Sequence, residues 1–304
     1  NTASAYVIPR MVPRNPCALG DWLTNDLRDF SHLFDRSKFK ANMAIVCPQM
    51  KIYDDINDLE GQDWALTSTE LSPKSLDSEV HHDYTTAHAS LWRSLFDNFL
   101  ISSNVVFSPA QPALLEIHDA FLEWPIQADT PAIVATFGRM YQAPSPIRQI
   151  AVKVLTQLKT QHSLNISLSR GAIFSDSSVS YFACHLRTEG DAMGNFGSYD
   201  LQAGTYLQIA STRGYKIMYV TSGDIGEVER IRAQALTDHG ITVVTKYDLL
   251  KGEDREALRQ LSWDQQAMID LEVLLRAGYF AGVAASSFSY NAAVKRHTIF
   301  MSKD

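Results

Sequence analysis

After residue 165, apolar runs of strand length alternate with helical stretches, and this alternation constrains the fold more than any other feature of the chain. The runs fall at 179–184, 216–220, 241–244 and 279–283, with helix-like spacing around 199–213, 226–238 and 262–277 between them. Such alternation predicts a mostly parallel sheet with helices on both faces. In open sheets of this kind, ligands collect at the carboxyl ends of the strands. Chemistry-bearing residues sit at each of those ends. His185, Arg187, Glu189 and Asp191 follow the first run, and Thr221-Ser222-Gly223-Asp224 the second. Lys246 and Asp248 follow the third, and Ala285-Ser286-Ser287-Phe288 the fourth.

Length and composition set the remaining bounds. At 304 residues the chain favours two domains. We place them at 1–165, an N-terminal α/β domain, and 166–304, a Rossmann-like domain. The first half is less regular. Short strands are expected at 5–8, 44–47 and 132–137, loops over 49–84, and helices at 87–96 and 145–158, the last opening on Ser145-Pro146. With 45% hydrophobic and 20% charged residues, the chain can bury substantial cores. A net charge of −7 argues against a general nucleic-acid binder. No apolar run approaches bilayer-spanning length, and the start has no basic-then-apolar signal pattern. Cys17 and Cys47 could pair, whereas Cys184 lies in an apolar run and reads as a buried thiol. Asn165-Ile166-Ser167 is a sequon, relevant only in the secretory pathway.

Several residues carry chemistry by type. Arg187 at a strand end can grip a phosphate bidentately, or close a salt bridge to Glu189 or Asp191. Ser286 and Ser287 open a closing helix, where a serine can cap and backbone N–H groups attract anions. Lys295, Arg296 and His297 fall near the end of that helix and read as structural. Asp264 suits the positive end of its helix. Asp270 lies among apolar residues and must have partners: the adjacent donors of a guanine base, or an arginine of the fold. His81-His82-Asp83 lacks a third ligand at metal-site spacing. The chain has no Gly-rich phosphate loop and no G-x-S-x-G elbow.

In combination these segments are more specific. His-Leu-Arg-x-Glu-x-Asp, Tyr-Val-Thr-Ser-Gly-Asp, Trp-Asp-Gln-Gln-Ala-x-x-Asp and Ser-Ser-Phe-Ser, in this order over about residues 180 to 297, resemble the GDP-fucose O-fucosyltransferase superfamily, fungal and plant-type members most closely. Tyr6-Val7-Ile8-Pro9 and 30–35 are fainter echoes.

The resemblance implies a GT-B-like α/β fold, with two Rossmann-like domains facing across a cleft. It also implies an inverting, metal-independent glycosyltransferase that moves fucose from GDP-fucose to a hydroxyl of a protein, glycan or small molecule. Alternatives are a rhamnosyl- or other deoxyhexosyltransferase on the same scaffold, or a non-catalytic nucleotide- or glycan-binding relative. By the same resemblance Arg187 grips the β-phosphate and His185 lies beside the nucleotide. Asp270 recognises guanine, and Ser286, Ser287 and Phe288 surround the diphosphate and base. Glu189 and Asp191 are candidates for acceptor positioning or proton removal, or orient Arg187.

No cofactor beyond the donor sugar nucleotide is implied, and no nucleic-acid partner. Family members reside in the ER or Golgi lumen, with membrane contact only through an upstream anchor. The family's Gly-rich, Asn-Gln-containing first turn has no counterpart here. The N-terminal domain is therefore expected to lack its first strand.

Overall fold

A computed structural model describes residues 5–14, 16, 26–59, 67–72, 88–105, 113–117, 131–168, 176–191 and 196–300. Cys17 and His81-His82-Asp83 lie outside the described residues. The chain packs as two compact units: residues 1–8 with 43–136, and residues 9–42 with 137–304.

In the first unit, β1 (Ala5–Val7) pairs in parallel with β2 (Lys51–Tyr53), and β3 (Thr67–Leu71) with β4 (Ala113–Ile117). The helix α2 (His88–Ser102) lies between β3 and β4 in sequence. Three expectations need correction. Residues 44–47 are not a strand but the end of α1 (Arg36–Val46), and 132–137 lie in α3 (Pro131–Met140). The supposed loop region 49–84 contains β2 and β3. Apolar runs of four to six residues satisfy a strand and a buried helix turn equally, so periodicity cannot separate them. At 131 the proline decides, because its missing N–H costs nothing in a first helical turn.

The second unit is built on one parallel sheet of order β7-β6-β5-β8. Its strands are β5 (Phe182–His185), β6 (Ile217–Thr221), β7 (Thr242–Val244) and β8 (Tyr279–Gly282). Helices α5 (Tyr199–Thr212) and α6 (Ile225–His239) cross between the first three. Then α7 (Lys246–Leu249), α8 (Gly252–Arg259) and α9 (Trp263–Leu274) lead to β8 on the other side of β5. The chain closes with α10 (Ser287–Phe300). The order reverses between β5 and β8, and that switch point is where doubly wound sheets leave a crevice. In register, His185 lies opposite Thr221 on one side and Gly282 on the other.

Strand alternation divides the core in two. Phe182, Cys184, Met218 and Val220 pack with α5 and α6 residues such as Tyr206, Leu207 and Ile231. Tyr181, Ala183 and Tyr219 face Val154 and Leu158 of α4 (Ser145–Gln161), together with Ile269 and Val273 of α9. Period-2 side-chain direction is what makes one strand serve both clusters. The helix ends are set locally. Ser198 caps α5 and Asp224 caps α6 by accepting from backbone N–H groups, and Gly240 ends α6 in a left-handed conformation.

The segment 26–42 joins this unit through an aromatic cluster, in which Phe30, Phe34 and Phe39 lie 5.2–6.4 Å from the Tyr141 ring. Arg296 is fully buried and donates to the carbonyls of Leu274 and Ala277, both at 2.9 Å. Its structural role holds, but it caps the end of α9 rather than its own helix.

Candidate functional site at the β5–β8 switch

β5 ends at His185, and the next residues carry the site. The backbone of Arg187 is fixed by Gln202 of α5, which accepts from its N–H and donates to its carbonyl, both at 2.9 Å. Its guanidinium donates from Nη1 to Glu189 Oε2 at 2.6 Å and from Nη2 to Asp191 Oδ2 at 2.8 Å. The Phe196 ring lies 4.9 Å away, and only 13% of the Arg187 side chain is exposed. Burial works against the charge of Arg187, but Asp191 and Glu189 outweigh it and hold its pKa above the ordinary value.

Glu189 is buried and has both oxygens engaged, since Oε1 accepts the Gly223 N–H at 2.6 Å. A Cβ at position 223 would come within 2.8 Å of the Trp263 ring and 2.9 Å of Glu189, so this approach requires glycine. Asp191 is asymmetric. Its Oδ2 also accepts from Arg14 Nη2 at 3.1 Å, while Oδ1 is buried with no partner among the described residues.

His185 is buried at the strand end. Its Nδ1 is 2.8 Å from Ser289 Oγ, and its ring centre is 4.8 Å from that of Phe288. Burial lowers its pKa to about 4, against a raising influence from Glu189, with Arg187 also lowering it. The imidazole is therefore neutral at pH 7. Ser286 is buried and its carbonyl starts α10 by accepting from Tyr290 at 2.8 Å, whereas Ser287 is exposed at the helix's first position. Ser289, which closes the Ser-Ser-Phe-Ser segment but was not among the expected site residues, is the one bonded to His185.

Asp270 lies apart from this cluster and is 3% exposed. The Tyr219 hydroxyl donates to Oδ1 at 2.7 Å and the Lys246 ammonium to Oδ2. Its cation of the fold is a lysine rather than an arginine. Burial, reinforced by Asp270, pushes the Tyr219 hydroxyl well above its usual pKa. Asp270 and Lys246 also line a cavity of about 470 Å³ at the ends of β6 and β7, together with Ser222, Tyr247, Arg232 and Arg255.

Asp264 is more than a helix-end charge. Both of its oxygens lie within 3.2 Å of His32 Nε2, it accepts from Ser262 Oγ at 2.5 Å, and it takes the Arg14 backbone N–H at 3.3 Å. Arg14 and His32 were absent from the sequence reading of the site. The 30–35 segment was a sequence signal for His32, and Arg14 had none. Among the described residues Cys47 has no disulfide partner, and Cys184 is a buried thiol whose pKa burial raises.

A doubly wound parallel sheet of this order defines a Rossmann-type α/β unit, with the paired arginine Arg187 just after β5 at the switch point. Over the whole chain the fold is similar to that of POFUT1. A crystal structure of POFUT1 in complex with GDP-fucose matches 100% of this chain and 96% of its own, with a TM-score of 0.51 and 12% identity. One of POFUT1 in complex with GDP matches 100% and 97%, with a TM-score of 0.49 and 11% identity. Neither a protein-family model nor a curated protein matches the chain by sequence. The GT-B-like α/β class expected from the sequence resemblance is therefore the class the chain adopts. No helix among the described residues is long and apolar enough to cross a membrane.

Proposed function

We propose that the chain is a glycosyltransferase that takes fucose from GDP-fucose and passes it, with inversion and without a metal, to a hydroxyl of a protein, glycan or small molecule. The observation that carries this reading is Arg187, oriented by two carboxylates at the switch point beside the start of α10. POFUT1, with which the fold is shared, is a GDP-fucose protein O-fucosyltransferase.

In the reaction the bond from the sugar carbon to the diphosphate oxygen breaks, and its electron pair stays on the diphosphate. The acceptor oxygen bonds to that carbon and gives up its proton. A fixed guanidinium and free helix N–H groups stabilise the charge growing on the leaving oxygen more than they stabilise the ground state. Glu189, with both oxygens engaged, positions Arg187. Asp191, whose Oδ1 has no partner among the described residues, is the carboxylate for proton removal. The base of the nucleotide enters the cavity beside Asp270, and Ser286, Ser287, Phe288 and His185 border the phosphates. A neutral His185 can accept or donate one hydrogen bond there without adding charge. Residence in the ER or Golgi lumen goes with this reading, supported by the exposed sequon residue Asn165.

Calorimetric titration with GDP, UDP and dTDP in the absence of metal tests the donor. GDP should bind selectively, and Arg187→Ala and Asp270→Ala should each abolish it. Preference for UDP or dTDP would move the assignment to another deoxyhexosyl donor. A second reading, a nucleotide or glycan binder without turnover, is favoured by the full pairing of the Arg187 charge. GDP binding with no transfer from GDP-fucose to any hydroxyl acceptor would establish it.

A further inference from the structure

Arg14 and Arg187 are 173 positions apart in the sequence, yet both donate to the same atom, Asp191 Oδ2, at 3.1 Å and 2.8 Å. One anionic oxygen held between two guanidinium groups is how a protein holds a bridging or terminal phosphate oxygen. Asp191 fills this role poorly, because its second oxygen is buried with no partner among the described residues, a costly condition for a carboxylate. Glu189 differs in having a bond to each oxygen. Among the described residues, the two guanidinium groups meet two carboxylates. Thr188 and Thr221 add buried hydroxyl oxygens that have no partner among the described residues, the second of them beside His185 in the sheet.

We propose that Arg14 and Arg187 together form a two-guanidinium site for a diphosphate, and that Asp191 is the protein's own anion in that site, displaced when the diphosphate binds. The proposal rests on the reading of Arg187 as a phosphate-gripping residue and extends it to Arg14. A diphosphate carries more charge than a carboxylate and offers several oxygens to the two forks, so it outcompetes a group using half its capacity. Glu189 stays in place, anchored to Gly223, and keeps Arg187 oriented. The backbone N–H of Arg14 on Asp264 fixes that arginine over the first turn of α9.

The test is calorimetry with GDP and with inorganic diphosphate on the whole chain and on Arg14→Ala, Arg14→Lys and Asp191→Asn, each first checked for an unchanged Tm. Arg14→Ala should weaken both ligands about tenfold or more, and Arg14→Lys should recover only part of the loss. Asp191→Asn should tighten both severalfold, since it removes the competing anion. Unchanged binding in Arg14→Ala, or weaker binding in Asp191→Asn, overturns the proposal. The two ligands keep it separate from the donor assignment. Selection of GDP through Arg187 and Asp270 with a silent Arg14→Ala sinks only the two-arginine site. Diphosphate binding that needs both arginines, with no preference for guanine, sinks only the GDP assignment. No binding of either ligand overturns both.

Discussion

The two units put similar residues to different use. In the first, strands of three and five residues pair two by two, and the described residues of β1, β2 and β4 are half-buried or exposed. In the second, four strands of three to five residues form one sheet with a buried cluster on each face. Strand length is therefore not what separates them. Burial on both faces requires residues of alternate sign of direction to be apolar, which fixes register and leaves the strand ends as the one place for polar groups. The candidate site lies at those ends.

The contrast is sharpest at Phe182, fully buried and stacked on Tyr279 with ring centres 5.6 Å apart. Phe182→Ala should cost about 3–5 kcal/mol in urea unfolding. Leu115→Ala in the half-buried β4 should cost about 1 kcal/mol, because less apolar area is removed from water. Equal costs would break the comparison.

Gly223→Ala probes the site's dependence on close packing. The new methyl meets the Trp263 ring and Glu189, so stability should fall by about 1–3 kcal/mol. GDP affinity should fall with it, as Glu189 loses the Gly223 N–H and Arg187 its support.

Acid should act on the second unit through His185. Its folded pKa, about 4, lies below the ordinary 6.5, so its contribution is complete above 6.5 and is lost as pH falls through 6.5 toward 4. Between pH 6.5 and about 5 the loss should be on the order of 1–2 kcal/mol, read as the slope of Tm against pH. Burial also lowers His162, so both His185→Gln and His162→Gln are needed, and the slope should flatten more in the first. Asp29 and Asp248, whose pKa values lie below 3.8, act only at lower pH. The smallest effect belongs to the exposed pair Lys153–Asp254, where Lys153→Ala should change stability by less than about 0.5 kcal/mol.

The sequence disclosed the second unit well. All four strands and the helices α5, α6 and α9 fall within a few residues of where periodicity placed them, because each depends on neighbours in the chain. It misplaced 44–47 and 132–137 as strands and passed over β4. In short apolar runs the local pattern is the same for both structures, and only packing chooses. The site was half legible. Its strand-end residues stand together in sequence, and Gly223 stood in a segment already marked. Arg14 gave no local sign, while Ser289 and His32 stood in the Ser-Ser-Phe-Ser and 30–35 segments without being singled out.

What the sequence determined by itself is the alternation that makes a parallel sheet, and with it the fact that His185, Arg187 and Ser286–Phe288 emerge at the strand ends. Side-chain direction and helical repeat are local properties, so a single chain of letters records them. Only the tertiary structure decided that Arg14 shares a carboxylate with Arg187, that Asp264 holds His32, and that Asp270 pairs with Lys246 and Tyr219. Those contacts join residues 24 to 232 positions apart. Which charge meets which across such separations is set by the sheet order and by the need to satisfy every buried ion, conditions that exist only once the chain has folded.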